Sequence, residues 1–341
     1  MKSLILFFLL FPTIVFCQDL GKVDGLNSRH FQLKGKQDTI NFILINDRID
    51  TVKPLLIFCQ GSTPVPLVIQ YAQGSKFIPA LSAFNYQEIA KKYHLVIISM
   101  PKTPFEVKID KLNKFYNYVP DTAKSDSLSN DYLKNNYLDN YVSRAKKVIK
   151  YLYRQKWINK KKIIVVGHSQ GAKVALEIAV NNRKIYKIGF LCGNPFGRLD
   201  QYIRLERYFS ITGKKTPQES QAMIDNYYKV WEDVIAHPKD LEVKYGDPSI
   251  TWTSFDKPLL ADFLKIKIPI YVAYGTEDFR SVMCDLLPIY FISAGKENLT
   301  MKPYVGLEHN FMELDKNRNP IVEKMHWQEV IDNLTTWIEE K

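Results

Sequence analysis

The chain has 341 residues, 46% of them hydrophobic, 24% charged and 13% aromatic, with 15 Gly and 17 Pro. This excludes a disordered, collagen-like or low-complexity protein, and the length suits one large α/β domain or two small ones with a sizeable core. The net charge of +11, from 47 Lys+Arg against 36 Asp+Glu, favours anionic substrates or anionic envelope surfaces. The basic residues are scattered, however. No zinc-ligand cysteine pair, RNA-binding signature or helix of Arg and Lys points to nucleic acid.

The first segment carries Lys2 and then an almost unbroken apolar run from Leu4 to Phe16. A short basic stretch followed by such a run is the pattern of a secretory signal. Val15 and Cys17 are small enough to flank a signal-peptidase cut, which predicts cleavage between Cys17 and Gln18. The bulky Phe16 argues against lipid on Cys17. The expectation is a signal peptide over 1–17 and a secreted or periplasmic chain over 18–341. No later stretch is long and apolar enough to span a bilayer, so no integral span is expected after signal removal. Cleavage leaves Cys59, Cys192 and Cys284, an odd number that forbids full pairing and favours free thiols. The six His show no ligand-like spacing, so no metal is expected.

From Gln18 onward no linker, repeat or low-complexity tract appears. Apolar β-rich runs predict strands over Ile40–Ile45, Pro54–Phe58, His94–Met100, Ile163–Val166, Ile185–Leu191, Ile268–Tyr274 and Leu299–Val305. Helical periodicity marks Tyr141–Gln155, Ala172–Val180 and Glu323–Glu339. Lys160, Lys161 and Lys162 read as a solvated strand entry. Strands alternating with helices predict an α/β fold: a mostly parallel sheet covered on both faces, with ligands beyond the carboxyl ends of its strands.

The strongest signal is Gly167-His-Ser169-Gln-Gly171, lying between an apolar strand and an Ala-rich helix. Such a turn holds Ser169 in a strained conformation with its hydroxyl exposed, and the helix N-terminus adds positive potential beside it. A side chain at Gly167 or Gly171 would collide with the neighbouring strand or helix.

These residues resemble the nucleophile elbow of the α/β-hydrolase superfamily, whose chain order is Ser, acid, His. Ile268-Pro-Ile-Tyr-Val-Ala-Tyr-Gly-Thr-Glu-Asp278 resembles the family's penultimate core strand and its Gly-x-x-Asp turn. This marks Asp278 as the acid, with Glu277 as a close competitor. Lys302-Pro-Tyr-Val-Gly-Leu-Glu-His309 resembles the last strand and its histidine loop. The resemblance implies Ser169 as nucleophile, His309 as base and Asp278 as its orienting carboxylate, with no cofactor. An oxyanion hole needs two N–H donors: Gln170, after the nucleophile, and one from Phe58-Cys59-Gln60-Gly61-Ser62-Thr63-Pro64. That loop is closest to the one in dienelactone hydrolase-like and oligopeptidase-like enzymes, which implies Ser62 as donor and Gly61 as the residue permitting close approach.

An insertion at about 194–263 follows the strand after the elbow helix, where this family builds caps. Thr216-Pro217-Gln218-Glu219 is a helix start, and Met223, Tyr227, Val230, Trp231 and Val234 mark one face of that helix. Tyr227 and Trp231 are the candidate substrate-binding residues. The implied activity is hydrolysis of a small-molecule carboxylic ester or thioester through an acyl-enzyme. The alternatives are a peptidase or amidase of the oligopeptidase type, whose usual β-propeller this chain is too short to hold, and a non-catalytic binding protein on a hydrolase scaffold.

Overall fold

A computed structural model describes residues 16–35, 38–46, 48–120 and 127–340. The expected signal segment therefore lies outside the described residues, except for Phe16 and Cys17.

The sheet has nine strands: β1 (Phe16–Lys22), β2 (Ser28–Lys34), β3 (Thr39–Ile45), β4 (Lys53–Cys59), β5 (His94–Ile98), β6 (Ile158–His168), β7 (Ile185–Leu191), β8 (Ile270–Gly275) and β9 (Leu299–Tyr304). Their order across the sheet is β1-β2-β3-β5-β4-β6-β7-β8-β9. The first three run antiparallel to their neighbours, and the six strands β4 through β9 are joined in parallel.

The parallel strands are buried on both faces, as their continuous apolar runs require. Ile163 through Val166 of β6 are at most 1% exposed. Lys160, Lys161 and Lys162, at the entry of the same strand, are exposed. All seven predicted strands are present. The sequence did not mark β1 and β2, whose polar residues break any apolar run; β2 buries only Ser28, Phe31 and Leu33 fully.

Among the helices that flank the sheet are α1 (Leu138–Leu152), α2 (Gln170–Val180) and, at the C-terminus, α3 (Trp327–Glu339). α1 buries Leu138, Val142, Ala145, Val148, Ile149 and Leu152, an i, i+4, i+7 stripe. The expected helix over Glu323–Glu339 begins late. Pro320–Met325 instead forms a strand antiparallel to Met312–Leu314, consistent with the extended preference of the adjacent β-branched Ile321 and Val322.

The insertion after β7 is helical: α4 (Arg198–Ile211), α5 (Pro217–Ala236), α6 (Ser249–Asp256) and α7 (Leu260–Lys265). α5 starts as its sequence predicts. Thr216 Oγ1 accepts the Glu219 N–H at 3.1 Å, and Glu219 Oε2 accepts the Thr216 N–H at 2.8 Å. The strand order reverses direction between β4 and β6, because β5 lies on one side of β4 and β7 on the far side of β6. A crevice opens beyond the carboxyl ends of strands at such a reversal, and the elbow and the Gln60–Thr63 loop both leave the sheet there.

Among the described residues, no helix is long and apolar enough to cross a membrane. Cys17, Cys59, Cys192 and Cys284 are all unpaired thiols.

Candidate active site

Ser169 lies between β6 and α2 with φ 58° and ψ −123°, a region that a residue with a Cβ enters only under constraint. Two glycines make the turn possible. A Cβ on Gly167 would lie 1.9 Å from the Gly171 carbonyl oxygen, and one on Gly171 would lie 2.1 Å from that of Cys59. The Ser169 N–H donates to the Leu191 carbonyl at 2.8 Å, tying the turn to the end of β7. The serine side chain is thereby aimed away from the sheet at the N-terminus of an eleven-residue helix.

The loops after β8 and β9 deliver the acid and the histidine. His309 Nδ1–H donates to Asp278 Oδ2 at 2.7 Å, and His309 Nε2 faces Ser169 Oγ at 2.9 Å. Asp278 is fully buried at its side chain. Burial alone would raise its carboxyl. Hydrogen bonds from His309, Ser281 Oγ and the Arg280 N–H outweigh burial and hold it below the ordinary carboxylate value.

Glu277 points elsewhere: it is exposed and pairs with Arg318 at 2.5 Å. Glu308 is partly buried, and its Oε1 accepts the Asn310 and Met312 N–H groups, bracing the histidine loop. Gly275 allows that loop to pass close, since a Cβ there would lie 2.1 Å from the Leu307 carbonyl oxygen.

His168 packs beneath His309. Its Nε2 donates to the His309 carbonyl at 2.9 Å, and its ring meets Trp327 edge-on at 4.9 Å. Burial, reinforced by the nearby His309, lowers the His168 imidazole to about 3. It is therefore neutral, and its hydrogen bond holds the His309 backbone.

The fold also gathers His168, Cys192 and His309, with ligand atoms within 4.8 Å of one another, which sequence spacing did not anticipate. Both His309 nitrogens and one of His168 are held in hydrogen bonds, and burial pushes the Cys192 thiol well above its ordinary value.

A cavity of about 280 Å³ opens over Ser169. Ser62 and Gln170 line it. Gln170 is the first residue of α2, whose N–H has no intrahelical acceptor. Gly61 lies against Ser169, where a Cβ would meet Ser169 Cβ at an ordinary 3.6 Å. The residue whose bareness lets the loop approach is Gly171 rather than Gly61.

A partly buried network, invisible in the sequence, links the two sides of the cavity. The Thr63 N–H donates to the Tyr132 hydroxyl at 3.0 Å, which lies 3.3 Å from the Tyr141 hydroxyl. The Tyr141 hydroxyl and Gln170 Nε2 both donate to Asn136 Oδ1, at 2.9 and 3.2 Å.

The cap reaches the cavity through Arg198, Gln201 and Tyr202 of α4 and Phe255 of α6. Neither Tyr227 nor Trp231 lines it. α5 turns Ser220, Ile224 and Val234 inward, with Ser220 Oγ donating to the Glu206 carbonyl of α4. The Tyr227 ring packs tilted against that of Tyr202, with ring centres 5.8 Å apart. α5 thus supports the helix that forms the wall.

No protein-family model and no curated protein matches the sequence. Solved structures do match. Acetyl xylan esterase 1 from Thermoanaerobacterium sp. superposes with a TM-score of 0.51 at 11% identity, over 95% of this chain and 87% of that one. An acetyl xylan esterase from Paenibacillus sp. gives 0.52 at 10% identity, over 95% and 88%. The acylaminoacyl peptidase of Pyrococcus horikoshii gives 0.52 at 14% identity, where this chain matches 92% of its length to 42% of the peptidase. The chain has the α/β-hydrolase fold.

Proposed function

We propose that this protein is a serine hydrolase that cleaves a carboxylic ester through an acyl-enzyme on Ser169. The observation that carries this is the continuous chain from Ser169 Oγ to His309 Nε2 and from His309 Nδ1 to buried Asp278, with the serine in a strained turn. A serine hydroxyl is a poor nucleophile at neutral pH. His309 takes its proton as Oγ attacks the carbonyl carbon, then returns the proton to the leaving group as the tetrahedral species collapses. Asp278 fixes the imidazole tautomer and stabilises its charged form. The N–H groups of Ser62 and Gln170, with the dipole of α2, carry the oxyanion. Water repeats the sequence to release the acid.

The cavity over Ser169 is walled on one side by α4 and α6. The acetyl xylan esterases, which this chain matches over most of their length, support the ester reading. A panel of p-nitrophenyl esters of graded length, assayed beside aminoacyl anilides, tests this. Ester turnover should dominate, and anilide turnover alone would reassign the protein as a peptidase.

We also infer export, from the apolar segment ending at Phe16. Cleavage after Cys17 would shorten edge strand β1 by two residues, which pair with Lys34 and Leu33. Intact mass of the secreted protein should place Gln18 first, and retention of Met1 would refute export by this route.

A further inference from the structure

The cavity wall carries three cationic side chains: Lys173 from α2, Arg198 from the start of α4 and Arg280 from the loop bearing Asp278. Among the described lining residues there is no carboxylate. Asn194, Gln201 and Tyr202 complete the polar wall.

The nearby carboxylates do not line the cavity, and two of them, Asp247 and Asp278, pair with the wall cations Arg198 and Arg280. Asp247 pairs with Arg198 through Nη1 at 2.7 Å. Asp256 accepts the Leu199 N–H at 2.6 Å. Asp200 is held by Asn194 and Arg204. The cations thus face the cavity while their counter-charges stand behind them.

We propose that this cavity binds a carboxylate of the substrate, so that the hydrolysed ester carries a second, anionic group on its acyl or leaving portion. The inference rests on the serine-hydrolase reading for its chemistry, and on the cavity wall for its charge.

Three features beyond the charge count support it. Lys173 is 6% exposed, and its ammonium donates to the Phe255 carbonyl at 2.7 Å, which leaves donors for a second acceptor. A buried ammonium without a full set of partners is costly, and an anion in the cavity removes that cost. Arg198 is held by Asp247 and by the Trp252 and Phe255 rings, 5.2 and 5.7 Å from its guanidinium carbon. It therefore loses little freedom on binding a planar carboxylate. Arg280 is half-exposed beside Asp278, where it can draw an anion inward.

Burial lowers the Lys173 ammonium to about 7, with Asp256 and Asp200 opposing the shift and Arg198 adding to it. A bound carboxylate favours the charged form, so binding near neutral pH should take up a proton.

The test uses two matched pairs of esters and one binding measurement on the full chain. Mono-4-nitrophenyl glutarate is compared with the 4-nitrophenyl ester of glutaramic acid, its neutral isostere. For the leaving side, 4-acetoxybenzoate is compared with 4-acetoxybenzamide. At least one pair should favour the anion by about tenfold or more in kcat/KM, and Arg280→Gln, at a half-exposed position, should lower that ratio several-fold. Calorimetry with Ser169→Ala should show glutarate binding in preference to glutaramide.

Ester turnover with ratios of one or below in both pairs and no glutarate binding would overturn the carboxylate site and leave the hydrolase standing. Glutarate binding without turnover of any ester would do the reverse. Absence of both would overturn both.

Discussion

Tyr132→Phe removes one hydroxyl and leaves the ring in place, yet it should slow the enzyme. The Tyr132 oxygen is the acceptor for the Thr63 N–H and meets the Tyr141 hydroxyl, which in turn shares Asn136 Oδ1 with Gln170. Thr63 directly follows Ser62 and has φ 87°, a conformation that a β-branched residue holds only when its neighbours enforce it. That strain is worth about 1–3 kcal/mol, and leaving the partly buried Thr63 N–H without an acceptor adds about 1 kcal/mol. With the acceptor gone, the loop gains by relaxing, and the Ser62 N–H shifts with it. Deleting one oxyanion donor outright costs about 10²–10³ in kcat, so a displaced donor should cost about 10- to 100-fold. KM should change less than about threefold, because the loss falls on the transition state. Steady-state kinetics on short p-nitrophenyl esters, run beside urea unfolding, would measure both effects. A lower unfolding free energy with kcat unchanged would refute the positioning role and leave the network purely structural.

Three further outcomes follow from the same geometry. Asp278→Asn should lower kcat on the order of 10⁴-fold, whereas Glu277→Gln, which loses only an exposed pair with Arg318, should stay within about threefold; the reverse ranking by kinetics would move the acid one residue back. Trp231→Ala should leave the acyl-chain preference unchanged, while Tyr202→Ala, in the wall itself, should shift relative kcat/KM between short and long esters by about 10- to 200-fold; the opposite pattern would mean that α5 reaches the substrate. His168 gives an acid limb to stability: its folded pKa lies below the unfolded one, so between about 6.5 and about 3 the unfolded chain binds more protons and stability falls as pH falls. At pH 4.5 the linkage limit is about 3 kcal/mol, which partial exposure of the ring reduces to roughly 1–2 kcal/mol. His94 and His30, also lowered by burial, act in the same direction. His168→Asn should flatten this limb in urea melts from pH 7 to 4.5, and an unchanged slope would exclude His168 as its source.

What could be read in advance divides along physical lines. The elbow was legible because its glycines answer to backbone contacts near 2 Å, which no other residue type satisfies. The resemblance to the family's chain order and Gly-x-x-Asp turn points to Asp278 ahead of Glu277 and to His309, and the fold brings Asp278 and His309 to Ser169 in one hydrogen-bonded chain. The parallel strands announced themselves as apolar runs because both of their faces are covered. β1 and β2 did not, since an antiparallel edge with one open face tolerates Asp19, Lys22, Arg29 and Gln32. Tyr227 and Trp231 mark a helical face, but periodicity cannot say whether that face meets a pocket or another helix, and here Tyr227 packs on Tyr202 of α4. The Tyr132, Tyr141 and Asn136 network and the Lys173, Arg198 and Arg280 wall join residues distant in sequence. Neither shows any local pattern before the chain folds.

The central claim is that Ser169 is a nucleophile activated by His309. It is tested most directly by reaction with a fluorophosphonate, followed by peptide mapping of the adduct. The geometry predicts a single stoichiometric adduct on Ser169, lost in Ser169→Ala and slowed by orders of magnitude in His309→Ala, with both variants folded by circular dichroism. A folded, wild-type protein that resists the reagent, or one that carries the adduct on a different serine, would contradict it.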